Sequence, residues 1–111
     1  MKWIDKNTRQ PTARSADAHG RVLVWHAYNG MMVFTPRDAR KNRFVTHWTP
    51  TPRDGWVDVQ ERLPTDNDAD NHRCVLALHE IDGIMLAAPD RVRSNRQFTH
   101  WMHTRTGGDT P

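Results

Sequence analysis

A chain of 111 residues with 36% apolar side chains excludes two large domains, because a domain usually takes about 100–150 residues and small ones bury proportionally less surface. No run approaches the roughly 18 apolar residues of a membrane span, and Met1-Lys2-Trp3-Ile4-Asp5-Lys6 lacks the apolar centre of a secretion signal, so a soluble, cytoplasmic protein is expected. The net charge is +3, and Cys74, the single cysteine, excludes an internal disulfide and a thiolate-rich structural zinc site.

In chain order, a short first strand is predicted from Trp3, followed after Pro11 by a polar segment read as a loop with room for one helical turn. The apolar runs Arg21–His26 and Met31–Thr35 flank Tyr28-Asn29-Gly30, and Asn-Gly between two such runs signals a hairpin because both residues accept positive φ. The cationic stretch 36–43 reads as a loop, and Phe44–Trp48 as a third strand. Thr49-Pro50-Thr51-Pro52-Arg53-Asp54-Gly55 then reads as a turn or linker: its prolines remove backbone donors, and Asp-Gly favours a tight turn.

Beyond that linker the pattern starts again. A gapless shift of 53 positions lays Trp3 on Trp56, Pro11 on Pro64, Val22-Leu23 on Val75-Leu76, Gly30 on Gly83 and Thr46-His47-Trp48 on Thr99-His100-Trp101. Roughly 21 of 53 positions are identical, against about three expected by chance, so the chain is a duplication, residues 1–52 and 53–111. The second copy has its hairpin at Asp82-Gly83, its cationic loop at 89–96 and its third strand at Gln97–Trp101. The expected fold is mainly β, with a β-rich α+β variant: two homologous antiparallel β-meander repeats packed as one pseudo-two-fold domain. A unit of about 53 polar residues is near the lower limit for folding alone, so each repeat is expected to complete its core against the other, with a flexible two-bead protein as the alternative. Periodicity does not choose between a continuous sheet, a sandwich and a partly closed barrel.

The string Trp56-Val57-Asp58-Val59-Gln60-Glu61-Arg62-Leu63-Pro64, with Cys74-Val75-Leu76-Ala77 and Thr99-His100-Trp101-Met102, resembles the small phage and prophage proteins grouped as domain of unknown function 551. The first repeat resembles them more loosely, through Trp3-Ile4 and Thr46-His47-Trp48-Thr49-Pro50-Thr51-Pro52, with Gln10 in place of the Leu before the proline. In the second repeat His103 and Thr104 replace the proline-rich ending. The resemblance implies a small cytoplasmic protein of a bacteriophage or mobile element, in a group without established catalytic chemistry.

The residues themselves point away from catalysis. Three matched histidine pairs (His19/His72, His26/His79, His47/His100) lack the i, i+4 spacing that forces ligands together. We read His47 and His100 as structural, donating a ring N–H to a backbone carbonyl beside a core Trp, with a histidine metal site as a third reading behind the two below. Cys74 aligns with Arg21 and reads as a small buried hydrophobe, Ser15 and Ser94 lack a nucleophile elbow, and the run Asp66, Asp68, Asp70 lacks the glycine and closing glutamate of a calcium loop. No catalytic residue, metal or cofactor is expected.

Contact chemistry is better represented. Residues 1–55 hold ten Lys plus Arg against four Asp plus Glu, net +6, whereas residues 56–111 hold six against nine, net −3. Trp3, Trp48, Trp56 and Trp101 are matched and read as repeated core, while Trp25 aligns with Leu78 and Tyr28 with Ile81, so the first repeat has gained amphipathic bulk. Trp25, Tyr28, Arg37, Arg40, Lys41 and Arg43 form the expected partner-binding set, with Asp66, Asp68 and Asp70 as an acidic counterpart suited to phosphate mimicry. The leading expectation is a non-catalytic phage accessory protein that binds a host protein complex as an anti-defence, anti-CRISPR-like inhibitor. A nucleic-acid-binding module using the basic loops is the alternative, disfavoured by the acidic second half. Exposed strand edges leave homodimerisation open.

Overall fold

The computed structural model describes residues 2–70 and 72–104; Met1, Asn71 and residues 105–111 lie outside the described residues. The chain divides into two compact units between Thr51 and Pro52. Unit 1 contains β1 (Ile4–Asp5), β2 (Val22–His26), β3 (Gly30–Phe34), helix α1 (Pro36–Lys41) and β4 (Val45–Thr49). Unit 2 contains β5 (Val57–Asp58), β6 (Val75–His79), β7 (Gly83–Ala87), helix α2 (Pro89–Ser94) and β8 (Phe98–Met102). Each unit also has a 3₁₀ turn after its first proline, at Ala13–Ser15 and Asp66–Asp68, where the sequence allowed one helical turn.

The fold is mainly β, as expected, with one four-stranded antiparallel sheet per unit. Strand order refines the meander: it is β1-β4-β2-β3 and β5-β8-β6-β7, so the last strand of each unit returns between the first strand and the hairpin. The short first strands begin one residue later than predicted, at Ile4 and Val57.

Strand alternation builds each core. Val22 and Val24 point to the face where Trp48, Val45 and Ala39 gather; Val75 and Ala77 do the same with Trp101, Phe98 and Val92. Trp48 and Trp101 are fully buried, whereas Trp3 and Trp56 are half-buried. A buried indole must satisfy its N–H: Trp48 Nε1 donates to the Arg9 carbonyl at 2.8 Å and Trp101 Nε1 to the Arg62 carbonyl at 2.8 Å. The same arginines lay their guanidinium groups over those indoles, 5.4 and 4.7 Å from the ring centroids.

The cationic segments are corrected from loops to helices. Pro36 and Pro89 occupy the first turn, where a missing N–H costs nothing, and Ala39 and Val92 point into the core. Six residues are too few for a helical period to show in the sequence. Arg40 Nη1 donates to the Pro11 carbonyl at 2.9 Å, and Arg93 Nη1 to the Pro64 carbonyl at 2.7 Å, tying each helix to the loop beside the first proline. In unit 1 the helix end is closed further by Lys6, whose Nζ donates to the Asn42 carbonyl at 2.8 Å; burial pulls its ammonium below the usual lysine range.

Candidate functional site

The hairpin tips are set by histidine. His26 Nδ1 accepts the backbone N–H groups of Tyr28 and Asn29, both at 3.2 Å, and His79 Nδ1 accepts those of Ile81 at 3.2 Å and Asp82 at 3.1 Å. A ring nitrogen that accepts two amides carries no proton, so the proton sits on Nε2. In unit 2 His79 Nε2 then donates to Gln97 Oε1 at 3.2 Å. Position 44, aligned with Gln97, is Phe, and its ring packs 5.6 Å from the His26 imidazole instead.

A register irregularity beside each buried histidine shapes the facing strand. Trp25 pairs with His47 but His26 with Val45, leaving Thr46 as the extra residue; Thr99 is extra between Leu78 and His79 in the same way. Thr46 Oγ1 donates to the Trp25 carbonyl at 3.4 Å, and Thr99 Oγ1 to the Leu78 carbonyl at 3.5 Å. Each hydroxyl therefore accepts from the neighbouring histidine, His47 Nδ1 at 2.9 Å and His100 Nδ1 at 3.0 Å. This corrects the expected partner of these two rings from a backbone carbonyl to the preceding threonine. The bulge turns that hydroxyl toward the ring.

At the tip of unit 1 the chain exposes aromatic surface. Tyr28 is 74% exposed and meets Phe44 edge-on, centroids 5.2 Å apart at 65°, with the Arg43 guanidinium 5.0 Å from the Phe44 centroid. Unit 2 has the same turn with Glu80, Ile81 and Asp82 at its tip; Ile81 is 65% exposed, and Asp82 approaches His79 Nδ1 at 3.6 Å. Gln97, in place of Phe44, offers no ring to pack against Ile81.

The other expected contact residues fall in different surroundings. Trp25, half-buried on β2, packs edge-on against Trp3 at 5.8 Å and 73°, away from the tip. Arg37 and Lys41 are exposed on α1, whereas Arg40 is engaged with the Pro11 carbonyl. Asp70 Oδ1 accepts the N–H groups of His72 at 2.8 Å and Cys74 at 3.0 Å, as Asp17 Oδ1 does for His19 and Arg21 at 2.9 and 3.0 Å. Asp68 accepts from the Thr65 N–H at 2.8 Å and pairs with Arg62 at 3.3 Å. Burial pushes its carboxyl up, but the Thr65 amide and hydroxyl together with Arg62 outweigh that and hold it below the usual range. Of the acidic trio only Asp66 is exposed and makes no side-chain bond of this kind. It lines an open cleft of about 400 Å³ with Asp70, Arg73, Pro89 and Asp90.

Burial raises the Cys74 thiol above its ordinary range and Asp70 adds to the shift, which disfavours the nucleophilic thiolate. Among the described residues no group of three or more His, Cys, Asp or Glu side chains is spaced to hold a metal ion. No helix among them is long and apolar enough to cross a membrane. Exposed Tyr28 and half-buried Phe44 each have one signal in the sequence: Tyr28 stands where the second repeat has Ile81, and Phe44 where it has Gln97, the latter masked because Phe44 also reads as the first residue of a core strand. No protein-family model, curated protein or solved structure matches the chain.

Proposed function

We propose that this chain is a non-catalytic accessory protein of phage or mobile-element type that binds a host protein complex and inhibits it, as an anti-defence, anti-CRISPR-like protein. One observation carries the protein-binding part. A fold built twice carries Glu80, exposed Ile81 and Asp82 at one tip and, at the other, an exposed Tyr28 packed on half-buried Phe44 beside Arg43. Tyr and Arg are among the residue types that most often anchor protein interfaces. The resemblance of Trp56–Pro64 and Thr99–Met102 to domain of unknown function 551 supports the phage setting.

Immobilised protein incubated with bacterial lysate, with and without nuclease, followed by mass spectrometry, tests this reading. A single stoichiometric protein complex that survives nuclease and is lost with Tyr28→Ala is the expected result. Recovery of nucleic-acid-associated proteins that disappears with nuclease would overturn it in favour of nucleic-acid binding through Arg37, Lys41 and Arg43.

A further inference from the structure

We propose that the corner between Tyr28 and Phe44 receives an aliphatic side chain carried on an acidic segment of a partner protein, with Arg43 meeting the carboxylates. The inference rests on the protein-binding reading above and gives the partner its chemistry. Two rings meeting at 65° make a concave apolar corner, and the His26 imidazole, 6.2 Å from Tyr28 and 5.6 Å from Phe44, backs it. A branched aliphatic group fills such a corner. Phe44 offers no open parallel face to a nucleobase, because it carries the Arg43 guanidinium on its ring and the tilted imidazole beside it, which leaves exposed Tyr28 as the one ring of the pair on which oligothymidine would stack.

Charge selects the flanks of the ligand. The turn residues Ala27, Tyr28, Asn29 and Gly30 bring no charge, and among the described residues no carboxylate lies within ion-pair distance of Arg43. Exposed Lys41 lies two residues before it. An exposed guanidinium beside an apolar anchor is complementary to a carboxylate next to a Leu or Ile. The sister tip carries the opposite character, Glu80 and Asp82 around Ile81, on the same backbone held by the same histidine. It is therefore an internal control: the difference between the tips lies in side chains that the fold already accepts.

The test exchanges the tips. One variant gives unit 1 the residues of unit 2, Ala27→Glu, Tyr28→Ile, Asn29→Asp and Phe44→Gln; the reciprocal one changes Glu80→Ala, Ile81→Tyr, Asp82→Asn and Gln97→Phe. Because every introduced residue already occupies the equivalent place, folding is checked by circular dichroism and expected to be kept. The probe is a labelled glutamate-rich peptide with one central leucine, compared with the same peptide carrying serine there and with oligothymidine, by fluorescence anisotropy. The wild type should bind the leucine peptide at least about tenfold more tightly than the first variant, and more weakly as salt rises from about 50 to 500 mM. The reciprocal variant should gain a second site. Equal binding by wild type and first variant, no preference for leucine over serine, or tighter binding of oligothymidine would each overturn the inference. The lysate capture separates this failure from that of the wider reading: a nuclease-resistant partner retained equally by wild type and first variant leaves protein binding standing and moves it elsewhere, whereas no retained protein removes the reading itself.

Discussion

In unit 1 the hairpin ends in Tyr28 against Phe44, while in unit 2 the same turn ends in Glu80, Ile81 and Asp82 with Gln97 behind them. Beneath the tips the units agree almost bond for bond. Trp48 and Trp101 reach the carbonyls of Arg9 and Arg62, Arg40 and Arg93 reach those of Pro11 and Pro64, and His26 and His79 each gather two turn amides. Asp17 and Asp70 close matching turns, and Asn42 and Asn95 accept the N–H two residues on, both at 2.9 Å. The lesson is that a polar residue repeated at the same offset is mostly a brace for the backbone. Polar identities in a duplication mostly mark such braces, whereas the tips differ through Ala27/Glu80, Tyr28/Ile81, Asn29/Asp82 and Phe44/Gln97, with Arg43 and Arg96 retained beside both.

The most severe way to break the equivalence is at its centre. Trp48→Ala and Trp101→Ala each remove a fully buried indole, its bond to a carbonyl and a guanidinium stack, and each should cost about 3–5 kcal/mol. Denaturant unfolding followed by amide exchange resolves the loss by unit. Similar losses at the two sites are expected; a site that tolerates the change would show that its Trp is not the keystone its burial implies.

A smaller asymmetry lies in the turn before the second strand. Gly20 has φ of +75°, and its counterpart Arg73 holds nearly the same conformation at +63°, which a side chain adopts at a cost of about 1 kcal/mol. Arg73→Gly should therefore stabilise the protein by about 1 kcal/mol, and Gly20→Ala should destabilise it by a similar amount. A Cβ at Gly20 meets nothing within 4 Å, so the second effect is backbone strain alone. Thermal unfolding of the two variants checks the pair, and a shift in the same direction for both would contradict the account.

The sequence showed some of this and hid the rest for physical reasons. Both hairpins were legible because Asn29-Gly30 and Asp82-Gly83 interrupt apolar runs, and the matched Trp48 and Trp101 were legible as repeated core. The helices were not, since Pro36–Lys41 and Pro89–Ser94 span less than two turns and their cations imitate a solvated loop, leaving Thr35-Pro36 as a short local sign of a helix start. Strand order was hidden because pairing of β4 between β1 and β2 is a long-range choice that no local period encodes. Tyr28 was visible as amphipathic aromatic bulk where the second repeat has Ile81. That Arg40 braces a carbonyl, while Arg43 faces solvent over an aromatic ring, needed coordinates.

Helix capping gives a finer comparison. Thr35 Oγ1 accepts the Asp38 N–H at 3.2 Å at the start of α1, and Ala88, at the start of α2, has no side chain to do so. Thr35→Ala should cost about 1 kcal/mol and Ala88→Thr should recover up to that amount. Chemical denaturation at neutral pH measures both. An unchanged midpoint for Ala88→Thr would mean that the first amides of α2 are already served by another acceptor.

The smallest expected effect separates the units by pH. In unit 1 the Thr12 N–H donates to Ser15 Oγ at 3.2 Å; in unit 2 the Thr65 N–H donates to the Asp68 carboxylate at 2.8 Å, and Arg62 adds its charge. The serine does not titrate, whereas the Asp68 carboxyl is held below its unfolded value by the amide, the hydroxyl and the guanidinium against the opposing pull of burial. A carboxyl lowered by folding stabilises fully above its unfolded pKa of about 3.9 and loses that contribution as pH falls through the lower, folded value. Asp68→Ser, which gives unit 2 the unit 1 residue, should therefore be less stable than wild type at neutral pH, by less than about 1 kcal/mol because the pair is near the surface, with the two converging below about pH 4. Parallel denaturation curves from neutral to acid pH read the gap directly. A gap that stays constant through acid would assign the Asp68 contribution to shape and neutral hydrogen bonding, and the two 3₁₀ turns would then differ in sequence without differing in electrostatics.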